Sequence, residues 1–169
     1  NGRKNLSRLV SAFAKLKAKG SEHSLVMVGR PDASAVALKE AVAALGLAGS
    51  VKFFEALPQE DLVALYRGAD LFVYPSLLEG FGLPVIEAMA CEVPVVVANA
   101  SCMPEIAGDA ALYFEGNDAD DLARQLERGL NDRDLRAELV RKGRERAALF
   151  DWIKCARGTL ASYEKALEG

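Results

Sequence analysis

The sequence has very few of the residues that define several common classes of protein. It contains one histidine and three cysteines, and the cysteines Cys91, Cys102 and Cys155 lack metal-ligand spacing. Because they are also odd in number, a disulfide framework or a zinc site is not expected, and the thiols fit a reducing cytoplasm. The single histidine, His23, falls in a predicted loop, so no nucleophile–histidine pair can be assembled around it.

Signals for membranes and nucleic acids are also missing. No run of about 18 apolar residues occurs, and the N-terminus lacks the basic-then-apolar order of a signal peptide. The formal net charge of −3 argues against nucleic acid as a partner and leaves any anion recognition to local features. We therefore expect a cytoplasmic chain, peripheral to the inner face of the membrane only through a domain outside this sequence.

Apolar residues, by contrast, are plentiful and ordered. Of the 169 residues, 51% are hydrophobic and 27% are charged, which is typical of one globular domain with a sizeable core. Apolar runs alternate with segments of helical periodicity, and this predicts an α/β fold. We expect residues 1–169 to form a Rossmann-like, doubly wound domain with a mainly parallel sheet and helices on both faces. Its first strand is expected to be missing, because the first periodic segment is a helix.

The predicted elements follow from periodicity and from glycine and proline boundaries. The predicted helices contain Leu6–Leu16, Val36–Leu45, Pro58–Gly68, Val85–Ala90, Leu122–Leu130, a segment from Asp132 onward and Asp151–Leu167. The predicted strands are Leu25–Val28, Val51–Phe54, Leu71–Tyr74 and Val95–Ala98, and Asn99–Glu105 is predicted to be a loop. Strands Leu25–Val28 and Val95–Ala98 are expected to be buried, the second on both faces, because they are apolar throughout.

The stretch Tyr74–Ala98 holds the residues that bear most directly on function. It predicts a strand, a loop containing Glu79, Gly80, Phe81 and Gly82, and a helix with proline in its first turn. The two glycines permit a positive φ and a close approach of backbone to a ligand. Free N–H groups at the start of the helix form a site for an anion.

Two carboxylates frame this loop. Glu79 lies within it, and Glu87 lies eight positions later on the second turn of the helix. An ionised carboxylate only accepts hydrogen bonds, so it suits neighbouring hydroxyls of a sugar or ribose and repels a phosphate. The pair suggests sugar hydroxyls arranged around a central phosphate. In the alternative interpretation, Glu79 caps the helix dipole and Glu87 is an ordinary solvated side chain.

The segment PSLLEGFGLPVIEAMA closely resembles the E-x7-E segment of retaining GT-B glycosyltransferases of family 4. The similarity continues through ADLFVYPS and PVVVANASCMPEIAGDAALYF, so it covers most of the chain. It implies the C-terminal, donor-binding domain of a hexosyltransferase that acts in glycan or lipopolysaccharide synthesis. The implied donor substrate is a nucleoside-diphosphate hexose, either GDP-mannose or a UDP-hexose, with SCMPEIAGDAA favouring mannose. The resemblance implies no metal and no other cofactor.

The resemblance also assigns roles residue by residue. Glu79 is expected to contact the donor hexose, and Lys4 to neutralise the diphosphate together with an arginine that would precede Asn1; Arg3 does not match that position. Glu87 is expected to bind the ribose hydroxyls. Further expected contacts are the backbone of Gly80, Phe81 and Gly82 with the diphosphate, the backbone of Leu57 with the base, and Ser101 with a phosphate oxygen. In the alternative interpretation, Lys4 is an ordinary basic residue and Ser101 an ordinary turn serine.

The acceptor site is implied to lie in an N-terminal domain that the sequence lacks. The chain alone is therefore expected to bind donor weakly or not at all and to transfer no sugar. In the family, a terminal helix packs back towards that domain. Part of the apolar stripe of Phe150, Trp152, Leu160 and Tyr163 is thus expected to be exposed.

Two residues depart from the family pattern, which usually has glycine in their place. Glu55 follows a predicted strand, and the shape of the loop after that strand is left open. Glu92 follows the E-x7-E helix, where replacing glycine is expected to cost conformational free energy. These departures favour a rival hypothesis, a non-catalytic binding or scaffold domain, which the retained Glu79 and Glu87 oppose. A flavodoxin-like or receiver domain is less favoured, because the sequence has no acidic phosphorylation pocket and no early phosphate loop.

The motif Asp118-Ala119-Asp120 resembles the Asp-x-Asp pair with which some glycosyltransferases hold a divalent ion. It stands immediately before a helical pattern, where acidic residues serve as N-cap and first-turn residues. We therefore expect Asp118 to cap a helix and no metal to bind.

Overall fold

The computed structural model describes residues 2–31 and 33–167, which form an alternating series of helices and strands. The chain begins with a short 3-10 helix at Gly2–Lys4. The α-helices are α1 Leu6–Ala18, α2 Ala35–Ala44, α3 Gln59–Arg67, α4 Leu83–Ala90, α5 Met103–Ala107, α6 Ala119–Asn131, α7 Arg133–Ala147 and α8 Trp152–Leu167. The strands are β1 Leu25–Val28, β2 Val51–Phe54, β3 Phe72–Tyr74, β4 Val95–Ala98 and β5 Ala111–Phe114. The predicted α/β class is confirmed.

The strands are all parallel, but they form two small hydrogen-bonded sheets and not the single sheet that was predicted. β1 pairs with β2, with Leu25 opposite Val51. β4 lies between β3 and β5, with Val95 opposite Phe72 on one side and Ala111 on the other. Side chains of both sheets pack in one apolar cluster, which is why the two sheets belong to one domain.

Strand β4 lies at the centre of the three-stranded sheet and is fully buried, as predicted. Its side chains alternate between two apolar clusters. Val96 and Ala98 pack with residues of α1 and α6, and Val95 and Val97 pack with residues of α4 and α5. Burying one valine stabilises the fold by about 1.5–3 kcal/mol. Helices therefore cover both faces of this sheet, which confirms the doubly wound arrangement.

Three sequence-based expectations differ from the structure. β1 is only half-buried, and the Val28 side chain is 39% exposed. The predicted loop Asn99–Glu105 is interrupted by α5, because Met103 is buried and Pro104 fits the first turn of a helix. Strand β5 was not predicted, although it completes the sheet beside β4.

Helix α8 is exposed along its whole length. None of its residues is buried, and Trp152, Tyr163 and Leu167 are 77%, 66% and 88% exposed. The expected exposure of its apolar stripe is confirmed. Among the described helices, none is both long and apolar enough to cross a membrane.

Glu55 and Glu92, which stand where the family usually has glycine, have different backbone conformations. Glu92 has a φ of 62° and follows α4 in a Schellman motif, with Glu92 N–H donating to Met89 and Val93 N–H donating to Ala88. Its side chain meets Arg144 at 3.3 Å, where both are exposed. Glu55 forms a bend without a positive φ. The conformational cost expected at Glu92 is confirmed, whereas Glu55 needs no glycine.

The two backbone conformations predict opposite effects of a glycine substitution on stability. We expect Glu92→Gly to be more stable than Glu92→Ala by about 1 kcal/mol, because only alanine must hold a positive φ. Both variants lose the Arg144 ion pair, so their difference isolates the backbone. At Glu55 the alanine variant should be at least as stable as the glycine variant. Urea unfolding of the four variants measures both differences, and equal stability of the two variants at position 92 would contradict the explanation.

Candidate functional site

The three strands β3, β4 and β5 end at the same edge of their sheet. Since they are parallel, the loops at residues 75–82, 99–102 and 115–118 all leave at this carboxyl edge. In open α/β sheets this is the edge where ligands bind. The loop after β3 contains Glu79, and the loop after β4 contains Ser101.

The loop after β4 holds the loop after β3 in place. The Ser101 hydroxyl accepts from the Glu79 N–H at 3.2 Å and donates to the Glu79 carbonyl at 2.9 Å. The Cys102 thiol donates to the carbonyls of Glu79 and Phe81, at 3.3 and 3.0 Å. Ser101 therefore directs its proton to the protein in this structure, and its contact with a phosphate stays a prediction.

The Glu79 carboxylate is held by a buried serine. Ser76, which is 2% exposed, donates from its hydroxyl to Glu79 Oε1 at 2.6 Å. Tyr74 lies close by, and burial together with the charge of Glu79 raises the Tyr74 pKa to about 12. The Tyr74 phenol is thus protonated at neutral pH. In this part of the site the Glu79 carboxylate is the group that accepts hydrogen bonds.

The segment with Lys4 is fastened to the same edge. The Arg3 carbonyl accepts from Leu77 N–H at 2.8 Å and from Ser76 Oγ at 3.2 Å. Asn5 is buried with a φ of 54°, and its amide donates to the Gly116 carbonyl at 2.6 Å. The exposed Lys4 lies between these two anchors. The structure thus fastens the backbone next to Lys4 to the loop that holds Glu79, and the contact of Lys4 with a diphosphate stays a prediction.

The two glycines of this loop are not equivalent. Gly82 has a φ of 117° and precedes α4, and a Cβ placed on it would lie 2.6 Å from Met103 Cε. Gly80 has no positive φ, and a Cβ placed on it would meet no atom of the described residues within 4 Å. Of the two glycines, only Gly82 uses the positive φ that glycine permits, and their backbone contact with a ligand stays a prediction. Phe81, between them, packs edge-on against Phe150 with ring centroids 5.4 Å apart.

Glu87 lies on the exposed side of α4, the helix that begins in this loop. Its Oε2 accepts from the Tyr66 hydroxyl at 3.2 Å. Within the part of the chain that the structure describes, no side chain accepts a hydrogen bond from the first N–H groups of α4. Glu87 and the start of α4 thus lie on the helix that follows the Glu79 loop, and their part in one ligand site stays a prediction.

Leu57 lies apart from these residues. It is in the loop between β2 and α3, and β2 belongs to the two-stranded sheet. Within residues 2–31 and 33–167, the backbone N–H and C=O of Leu57 have no protein hydrogen-bond partner. These groups are free to bind a ligand, but no described hydrogen bond joins them to the Glu79 loop.

The Asp118 motif has the structural role expected for it. The Asp118 carboxylate accepts from the N–H groups of Asp120 and Asp121, and these bonds hold its pKa below the usual range. Asp120 pairs with Lys15 at 2.7 Å. The described part of the chain contains no group of three His, Cys, Asp or Glu side chains placed to hold a metal. The prediction that Asp118 caps α6 is confirmed.

Sequence reasoning missed three supporting residues, Ser76, Tyr66 and Asn5. Ser76 and Glu79 are three positions apart in one loop, a spacing that a local side-chain pair could have suggested. The Tyr66–Glu87 bond spans 21 positions and the Asn5–Gly116 bond spans 111. These two contacts depend on the tertiary fold, so no local pattern indicates them.

Comparison with known proteins agrees with the fold. The family described as Glycosyl transferases group 1 matches residues 1–146, and the chain belongs to this family. O-antigen chain mannosyltransferase B from Escherichia coli is 40% identical over 116 residues, which are 69% of this chain and 30% of the relative. D-inositol 3-phosphate glycosyltransferase from Salinispora arenicola is 37% identical, with 94% of this chain and 38% of the relative covered.

A solved structure supports the same conclusion. Sucrose-phosphate synthase from Thermosynechococcus elongatus superposes with a TM-score of 0.88 at 30% identity, covering 99% of this chain and 43% of that chain. The fold is thus that of a Rossmann-like GT-B domain, and the two relatives are by name a mannosyltransferase and a glycosyltransferase. The chain spans 30% and 38% of the lengths of the two relatives named above.

The unequal glycines yield a test of the loop. We expect Gly82→Ala to lower the free energy of unfolding by about 1–3 kcal/mol, because alanine must hold a positive φ against buried Met103. Gly80→Ala, the matched control in open space, should change it by less than about 0.5 kcal/mol. Urea unfolding measures both. An equal effect at the two positions would show that the loop is not shaped as described.

Proposed function

We propose that this chain is the donor-binding, C-terminal domain of a retaining glycosyltransferase that moves a hexose from a nucleoside diphosphate to an acceptor hydroxyl. The observation that carries the proposal is the meeting of Glu79, the Lys4 segment and the start of α4 at one edge of the sheet. A carboxylate and a cation carried by adjoining segments suit a ligand with hydroxyls at one end and an anion beside them.

The proposed chemistry is electrostatic. When the bond between the hexose and the diphosphate breaks, negative charge grows on the leaving diphosphate, and Lys4 and the N–H groups at the start of α4 stabilise it. An arginine preceding this chain would add a second cation. Glu79 repels the phosphates, so it binds the hydroxyls of the hexose and orients the sugar for transfer with retention.

The nucleotide occupies the rest of the proposed site. Glu87 accepts from the ribose hydroxyls, the unpaired backbone of Leu57 meets the base, and the backbone of Gly80, Phe81 and Gly82 contacts the diphosphate. The base and sugar are those of GDP-mannose or a UDP-hexose, and no metal or other cofactor takes part. The name of the mannosyltransferase relative supports mannose and a product in glycan or lipopolysaccharide synthesis.

The proposed acceptor site lies in an N-terminal domain of a longer, cytoplasmic parent protein. The matched segments make up 30% and 38% of the two relatives, so each relative is roughly three times as long as its matched segment, which leaves room for such a domain. The exposed apolar residues of α8 provide a surface that this domain would cover. Any membrane contact would be made through the same domain.

The two residues that favour the scaffold hypothesis lie in backbone conformations that the fold accommodates. Glu55 has no positive φ, and Glu92 lies in a Schellman turn after α4. Both residues are exposed and form no described contact with the Glu79 loop.

Nucleotide binding is the first test. In titration calorimetry with GDP, UDP and GDP-mannose, we expect saturable binding specific for one base and weak in this chain alone. Glu87→Ala should weaken it about tenfold or more, because hydrogen bonds to a charged acceptor are lost. Glu40→Ala, an exposed glutamate on α2, is the matched control. If this chain binds none of the three nucleotides, the titration is repeated with the parent protein. The absence of binding to the parent protein as well would refute the proposal.

Sugar transfer by the parent protein is the second test. We expect Glu79→Gln and Lys4→Met each to lower kcat/KM by about a hundredfold or more, as loss of a transition-state contact does. Lys52→Met, at an exposed position on β2, should leave it unchanged. NMR of the product should show retained anomeric configuration. Inversion, or full activity of Glu79→Gln, would contradict the assigned mechanism.

A further inference from the structure

Glu87 is held from the interior of the protein. Its side chain is exposed on α4, yet its Oε2 accepts from the hydroxyl of Tyr66, which is only 9% exposed. Tyr66 comes from the last turn of α3, so a different helix supplies the donor. Within the described residues, Glu87 Oε1 has no hydrogen-bond partner. One oxygen thus has a donor in the folded framework, through a long hydrogen bond of 3.2 Å, and the other has none among the described residues.

The donor itself is fixed in place. The Tyr66 ring packs edge-on against Phe72, with centroids 5.4 Å apart, inside the apolar cluster that contains Val85 and Met89. Burial, and then the charge of Glu87, raises the pKa of Tyr66 above its ordinary value. The phenol therefore keeps its proton across the neutral range and acts as a donor to Glu87.

We propose that Tyr66 is a positioning residue for the ribose-binding carboxylate of Glu87. Its hydroxyl occupies one of about four acceptor positions of the carboxylate. The remaining positions face solvent, where two adjacent ribose hydroxyls can donate to them. This inference rests on the proposed function, because it needs a nucleotide whose ribose meets Glu87.

The benefit of such a contact is pre-organisation. A free glutamate on a helix surface samples several rotamers and loses that freedom when it binds a ligand. A glutamate already held by Tyr66 has lost part of this freedom before the ligand arrives, so more of its hydrogen-bond energy appears as affinity. The gain in affinity comes from the ribose hydroxyls alone. It can therefore be measured separately from effects on the binding of the base or the diphosphate.

The experiment compares a ribonucleotide with its 2′-deoxy analogue on the parent protein. For the base that binds, Kd is measured by calorimetry for GDP and 2′-deoxy-GDP, or for UDP and 2′-deoxy-UDP. We expect the unaltered protein to prefer the ribonucleotide about tenfold, and Tyr66→Phe to reduce this preference to about threefold or less. Tyr113→Phe is the matched control, since it removes the hydrogen bond of another partly buried tyrosine to Gly108.

A double-variant cycle shows whether Tyr66 acts through Glu87. In Glu87→Gln protein, adding Tyr66→Phe should change the ribose preference by less than about twofold. A merely structural role would weaken both nucleotides equally and leave the ratio intact. An unchanged ratio in Tyr66→Phe therefore overturns the positioning role while the proposed function stands. A parent that binds neither GDP nor UDP overturns the proposed function, and the positioning role with it.

Discussion

The complete burial of β4 is the constraint on which the site depends. Its four side chains are fully buried and alternate between two apolar clusters. A strand buried on both faces needs helices on both faces, and the helical crossovers that supply them make its neighbours parallel. The loops after β3, β4 and β5 consequently leave at one edge. Glu79 and Ser101 meet because of this topology, and Lys4 joins them through hydrogen bonds of the adjoining backbone.

Polar contacts then shape what the topology brings together. Ser76 is buried, so its hydroxyl must find an acceptor, and it finds Glu79 Oε1 and the Arg3 carbonyl. Ser101 and Cys102 bind the backbone of the same loop from the other side. The loop is thus defined by groups that belong to the folded framework. A carboxylate held in this way has less conformational freedom to lose when a ligand binds.

The sequence predicts those features that are local. Helical periodicity and apolar runs give the order of the elements, and a linear motif gives Glu79 and Glu87. Features that depend on contacts between residues distant in the sequence could not be predicted from it. The division into two sheets, strand β5 and the donor to Glu87 all follow from packing between separate elements. Gly80 and Gly82 look alike in sequence, but only Gly82 begins a helix against buried Met103 and so requires a positive φ.

The Glu79 loop is also linked to the end of the domain. Phe81 packs on Phe150, and the Arg146 guanidinium lies 5.4 Å from the centre of the Phe150 ring while its Nε donates to the Ile106 carbonyl. The segment between α7 and α8 therefore rests on the loop, although α8 itself is exposed. The position of Phe81 in the Glu79 loop therefore depends on the end of α7, because Arg146 packs against the Phe150 ring and Phe81 packs on the same ring. The geometry of the loop is thus set by residues nearly seventy positions away as well as by Ser101 and Cys102.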